Sequence, residues 1–126
     1  LKKFIKTSFF IGIMMLLFSC ASMKMENKII GSWKIEKVIH SNGKIEKGYK
    51  TLIFYNDKTV LSTNQNSDSI KGKWEFAPKT KELKIFNYTK EKWEKFEVLK
   101  LTKKEFIVTD QYKTAEAIRI KTLKNE

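Results

Sequence analysis

Ile29-Ile30-Gly31-Ser32-Trp33-Lys34-Ile35 is the stretch on which the reading of this chain turns. From Trp33 onward apolar and polar residues alternate. Trp33, Ile35 and Ile39 fall on one side of an extended chain, and Lys37 interrupts that side. A period of two marks a strand with one buried face. Ser41-Asn42-Gly43-Lys44 comes next, and Asn-Gly accepts the positive φ of a tight hairpin turn. The residues before the stretch read as delivery, and those after it read as one β-domain that closes over Trp33.

Beyond the hairpin signal the same pattern recurs. Alternating runs cover Leu52 to Tyr55, Thr59 to Thr63, Ile70 to Ala77 and Leu83 to Tyr88. Three more cover Trp93 to Leu101, Glu105 to Gln111 and Ala115 to Leu123. The separators are short and polar: Asn56-Asp57-Lys58, Asn64 to Ser69, Pro78 to Lys81, Thr89-Lys90, Thr102 to Lys104 and Gln111 to Thr114. No window after Cys20 sustains a 3.6-residue period. The predicted fold is all-β, an up-and-down antiparallel β-barrel of about eight strands joined mostly by hairpins.

At 126 residues there is room for one such domain, and 41% hydrophobic residues are enough for a packed core. The formal charge is +12, yet Arg119 is the only arginine. Nucleic-acid readers rely on arginine for bidentate contacts, and no basic cluster interleaved with stacking aromatics stands out, so nucleic acid is not an expected partner. One cysteine and one histidine, Cys20 and His40, provide no zinc site, and neither a metal nor a cofactor is expected.

Lys2, Lys3 and Lys6 precede an apolar run from Phe9 to Phe18. A basic start followed by a run of this length reads as a signal peptide, since a spanning helix needs about 20 apolar residues. The run ends in Leu17-Phe18-Ser19-Cys20, which resembles the lipobox of bacterial lipoproteins. The resemblance implies cleavage after Ser19 and lipidation of Cys20; the alternative is an ordinary secretory signal with a chance cysteine. The expected organisation is a signal peptide over 1–19, a lipidated tether over 20–27 and the barrel domain over 28–126. The implied location is the bacterial cell envelope, facing the periplasm and attached to a membrane through the lipid on Cys20.

Gly31-Ser32-Trp33 resembles the Gly-x-Trp signature of lipocalins. Further cues resemble small bacterial lipocalin-like lipoprotein domains: Leu52-Ile53-Phe54 ahead of Asp57, Gly72-x-Trp74, Leu83-x-Ile85, and Val98-x-x-Leu101 ahead of Phe106. Lys58 stands where such domains often have glycine. The resemblance implies a calyx for a small apolar ligand, although the chain is short for a deep one. The ligand-binding residues expected on that basis are Trp33, Phe54, Trp74, Phe76, Ile85, Phe96 and Phe106. Leu83, Val98 and Val108 share their inward face, and an aromatic stripe in a small β-domain is more often simply the filling of a solid core. Ser62 is placed to orient a headgroup.

Ile53, Tyr55, Phe86, Tyr88, Trp93 and Ile107 fall out of phase with that set. They read either as scattered surface residues or as an apolar outer patch that docks a partner or rests on a bilayer. The single arginine among so many lysines marks a place where a planar guanidinium matters. The resemblance implies a structural clasp of Arg119 over Trp33; the alternative puts Arg119 outside the strand between Ile118 and Ile120. His40 lacks a nucleophile to activate, no elbow motif surrounds any serine, and no catalytic residues are expected. The expected function is a monomeric, membrane-anchored binder or carrier of a small hydrophobic molecule. The competing expectation is an interaction lipoprotein with a filled barrel and a docking outer face.

Overall fold

A computed structural model of the protein describes residues 25–120. The expected signal peptide over 1–19, Cys20, most of the expected tether and the last residues of the final expected strand lie outside the described residues. A helical turn over 25–29 leads into nine strands. They are β1 (Gly31–His40), β2 (Ile45–Lys47), β3 (Thr51–Phe54), β4 (Thr59–Thr63), β5 (Ser69–Ala77), β6 (Glu82–Asn87), β7 (Lys92–Leu101), β8 (Glu105–Thr109) and β9 (Lys113–Arg119). All neighbours are antiparallel, and β1 pairs β9, so the sheet closes on itself.

The barrel has eight staves, because β2 and β3 occupy the same edge of β1 one after the other. Gly31 to Lys34 pair with β3, and Lys37 to Ile39 pair with β2. Between them Ile35 N donates to Lys50 O and Gly48 N donates to Glu36 O, leaving Tyr49 as the extra residue of a bulge. Gly48 makes the break possible: a Cβ there would lie 2.3 Å from Ile35 O and 2.6 Å from Ile35 Cγ2. The strand β2 has no counterpart in the expected series, since Ile45-Glu46-Lys47 is exposed throughout and shows no buried face to a pattern reading.

A second irregularity corrects the phase expected for β1. Its register against β9 slips between Ile35 and Lys37, so Glu36 is the extra residue. Past the slip Val38 faces the interior and Ile39 does not. Lys37 points outward, where its ammonium lies 3.5 Å from Glu116. In β7 a slip between Val98 and Lys100 lets Val98 and Leu101, three apart, both face Phe106 and Val108 of β8.

The turns are held by side chains that accept from nearby backbone N–H groups, the behaviour that places Asn, Asp and Thr in turns. Asn42 accepts from Lys44, Asp57 from Thr59, Asn64 from Asn66 and Asp68, Asn87 from Thr89 and Lys90, Thr102 from Lys104 and Glu105, and Asp110 from Tyr112 and Lys113. Gly43 takes φ 87° in the first hairpin, as Asn-Gly predicts. The ten residues expected on the inward face all belong to the core or pack against it. Ile29, Val60 and Ala117 join them.

Candidate functional site: the barrel interior

The strands run up and down between two ends. The end carrying Gly31, the 55–58 turn and Arg119 is sealed. Trp33 and Trp74 are fully buried there. Trp33 Nε1 donates to Ile29 O at 2.8 Å, and Trp74 Nε1 donates to Tyr55 O at 3.0 Å. The rings form a continuous floor: Trp33 to Phe106 at 5.1 Å, Phe106 to Phe54 at 6.0 Å and Phe54 to Trp74 at 5.6 Å, the last edge-on at 89°.

Two cations cap this floor on its sealed side. The Arg119 guanidinium carbon is 4.3 Å from the Trp33 ring centroid. Its Nε donates to Lys103 O at 2.8 Å, its Nη1 to Ile30 O at 2.9 Å, and its Nη2 to Lys28 O. The fork thus ties the β7–β8 turn and the N-terminal helical turn to the indole. Burial pushes the guanidinium pKa down, and the three carbonyls compensate part of that loss of water. Gly31 makes room for it: at φ 130° it adopts a conformation that disfavours L side chains, and a Cβ would lie 2.3 Å from Nη1. Lys58 Nζ sits 4.3 Å from the Trp74 ring centroid and pairs with Glu26. Lys58 keeps φ 73° without being glycine, and its side chain is then used as a second lid. Burial pushes its ammonium pKa down, partly opposed by Glu75.

Above the floor lies a cavity of about 490 Å³, open at the other end of the barrel. This is within the range typical of small-molecule sites. Of the seven expected ligand-binding residues, Trp33, Phe54, Ile85, Phe96 and Phe106 line it. Trp74 and Phe76 do not. They follow Ile70 and Gly72 down the inward face of β5, and only that upper pair reaches the cavity. The space exists because small residues occupy inward positions: Gly72 on β5, Ala115 and Ala117 on β9. Ala115 and Ala117, at two successive inward positions of β9, are the part of this signal visible within one strand of the sequence.

The rim is polar. Ser62, Asn64, Asn87, Lys50, Glu94 and Lys113 border the mouth. Asn87 Nδ2 donates to Glu94 Oε1 at 3.1 Å. Neither Lys50 nor Lys113 enters an ion pair among the described residues. A broader, shallower groove of about 1070 Å³ lies outside, where β7 runs beyond the end of β8. Glu94, Phe96 and Lys113 border both spaces.

His40 lies on the β1–β2 hairpin, with Nε2 3.2 Å from Glu46 Oε2. The His40 and Lys44 side chains hold the Glu46 carboxyl below its usual range. Among the described residues no group of three His, Cys, Asp or Glu is gathered for a metal.

An eight-stranded antiparallel barrel with one sealed and one open end is a lipocalin-like fold. Solved structures from Bacteroides share it. A lipocalin-like protein from Bacteroides uniformis matches with a TM-score of 0.66 at 12% identity, over 74% of this chain and 99% of that one. An uncharacterized protein from Bacteroides eggerthii matches with a TM-score of 0.63 at 13% identity, over 72% and 98%. A further protein from Bacteroides uniformis, solved by NMR, matches with a TM-score of 0.55 at 18% identity, over 75% and 91%. No family profile and no curated protein matches the chain.

Proposed function

We propose that this protein is a lipid-anchored envelope lipoprotein whose barrel binds or carries a small hydrophobic molecule, tail inward and polar end at the rim. One observation carries the reading: the interior above the aromatic floor is a cavity of about 490 Å³ walled by apolar side chains, with polar residues confined to its mouth. A solid core leaves no such space, since protein interiors pack to crystal-like density. Attachment through Cys20 rests on Leu17, Ser19 and the basic, apolar segment before them. In this reading the protein acts as a monomer, performs no reaction and requires no cofactor. Titration of the purified protein with a naphthalene dye, followed by displacement with long-chain amphiphiles, tests it. Saturable dye emission with competition is expected; a flat titration rules the reading out.

A further inference from the structure

The outer wall formed by β5, β6 and β7 carries a second cluster of aromatic and basic side chains. Alternation sends Trp74, Ile85 and Phe96 inward, and therefore sends Lys73, Phe86 and Trp93 outward. The register sets these three side by side, Lys73 opposite Phe86 and Phe86 opposite Trp93. The Phe86 ring is 5.1 Å from Tyr88 and 5.3 Å from Trp93. Tyr88 is 47% exposed and Trp93 40%. Two exposed rings and the half-buried ring of Phe86 thus gather near the open end, outside the core cluster.

Lysines surround them. Lys71 and Lys73 flank the rings on β5, Lys84 and Lys95 form the next cross-strand pair, and Lys90 stands in the turn. Of these only Lys84 is in an ion pair, with Glu82. Glu75 shares the row of Lys84 and Lys95, opposite Lys84; Glu82 and Glu97 lie one row further toward the sealed end, and Glu91 stands in the turn.

We propose that this wall is a noncovalent membrane contact, in which Phe86, Tyr88 and Trp93 enter the interfacial layer of an anionic phospholipid bilayer while the lysines meet its headgroups. Aromatic rings favour the interface, and lysine stems lie along apolar surface with their ammonium groups in water. Basic residues near an anionic surface add attraction. A protein partner fits less well. Protein interfaces are enriched in arginine and depleted of lysine, and this wall has no arginine. The contact does not depend on acylation, and Phe86 and Lys71 also border the cavity.

Trp93 reports on it directly. The sequence has three tryptophans, and Trp33 and Trp74 are fully buried, so quenching from solvent or lipid reads Trp93. The purified full-length protein is mixed with vesicles of phosphatidylcholine alone or with phosphatidylglycerol, with and without brominated acyl chains. With anionic vesicles the expected results are severalfold protection from acrylamide and quenching by the bromines, both weakened by high salt and absent in Trp93→Phe. Lys71→Glu with Lys73→Glu and Lys95→Glu should weaken the effect at least tenfold with an unchanged far-UV spectrum; if that variant misfolds, the three glutamine changes replace it. Unaltered acrylamide access in both vesicle types would overturn the proposal, even if the chain attaches through another segment. So would equal protection in neutral and anionic vesicles, or protection by an acidic protein in their absence.

Discussion

Arg119 stands opposite Trp33 in the ladder that closes the barrel, with its guanidinium carbon 4.3 Å from the indole centroid. The contact joins the last strand to the first, and through Ile30 O and Lys28 O it also joins the N-terminal turn. A lysine keeps the charge but cannot span three carbonyls while lying flat on the ring. Arg119→Lys should cost about 2 kcal/mol, from a cation–π contact of about 0.5–2 kcal/mol and hydrogen bonds to a charged group. Thermal unfolding should shift by several degrees. In a Trp33→Phe background the same change should cost less, and an equal cost in both backgrounds would separate Arg119 from the indole.

Gly31 supports the same clasp from below. Gly31→Ala places a methyl group at the position of Nη1 and puts an L side chain at φ 130°. The expected cost is about 1–3 kcal/mol, the range for a residue held in a disfavoured backbone region. Because part of that cost is steric conflict with the guanidinium, Gly31→Ala should be milder in an Arg119→Ala background. Denaturant midpoints of the four proteins measure this coupling.

These relationships show which parts of the molecule are legible in the sequence. The face of each strand is readable wherever alternation runs unbroken, because period two depends only on local residues. Ile39 is assigned to the wrong face because the slip at Glu36 changes the phase, and Lys37 on the expected inner face is the mark it leaves. Trp74 and Phe76 fall on the correct face and at the wrong height, since alternation carries no information on position along the barrel axis. For Trp74 that height goes with its edge-on contact with Phe54, reached across β4. The cavity itself depends on the joint smallness of Gly72, Ala115 and Ala117, which come together only when the barrel closes.

Filling that space tests its use. Ala115 lies on the cavity wall away from the aromatic floor. Ala115→Phe should occupy part of the volume and reduce dye affinity at least tenfold, with a stability change of about 1–3 kcal/mol if the ring is overpacked. Dye binding that survives unchanged would move the site elsewhere on the surface.

Acid should weaken the 55–58 turn. The hydroxyl and backbone N–H of Thr59 hold the Asp57 carboxyl below its usual value of 3.8. A carboxylate with a lowered folded pKa contributes stability above its unfolded pKa and loses it as pH falls through the folded value. Asp57→Asn should therefore unfold at a lower temperature than the wild type at pH 7, and the difference should close below pH 3.8. A constant difference across that range would show that the charge of Asp57 plays no part.

The mouth of the barrel makes a prediction about the polar end of the ligand. Lys50 and Lys113 both occupy inward positions at the rim, Lys50 above Leu52 on the stave formed by β2 and β3, and Lys113 above Ala115 on β9. Neither is ion-paired among the described residues, while the one carboxylate bordering the mouth, Glu94, accepts from Asn87. A carboxylate or sulfate at the end of an alkyl chain would meet these two lysines there, with Lys47 and Lys71 also bordering the cavity, whereas an alcohol would gain little from them. Charge pairs at exposed sites are each worth about 0.2–1 kcal/mol, so the two together correspond to roughly a twofold to thirtyfold preference. Affinities of a fatty acid and the fatty alcohol of equal chain length, compared by dye displacement at low salt, read that preference. Lys50→Gln with Lys113→Gln should reduce it by weakening the acid and leaving the alcohol unchanged. If both ligands lose affinity equally, the lysines serve the shape of the mouth rather than the charge of the ligand.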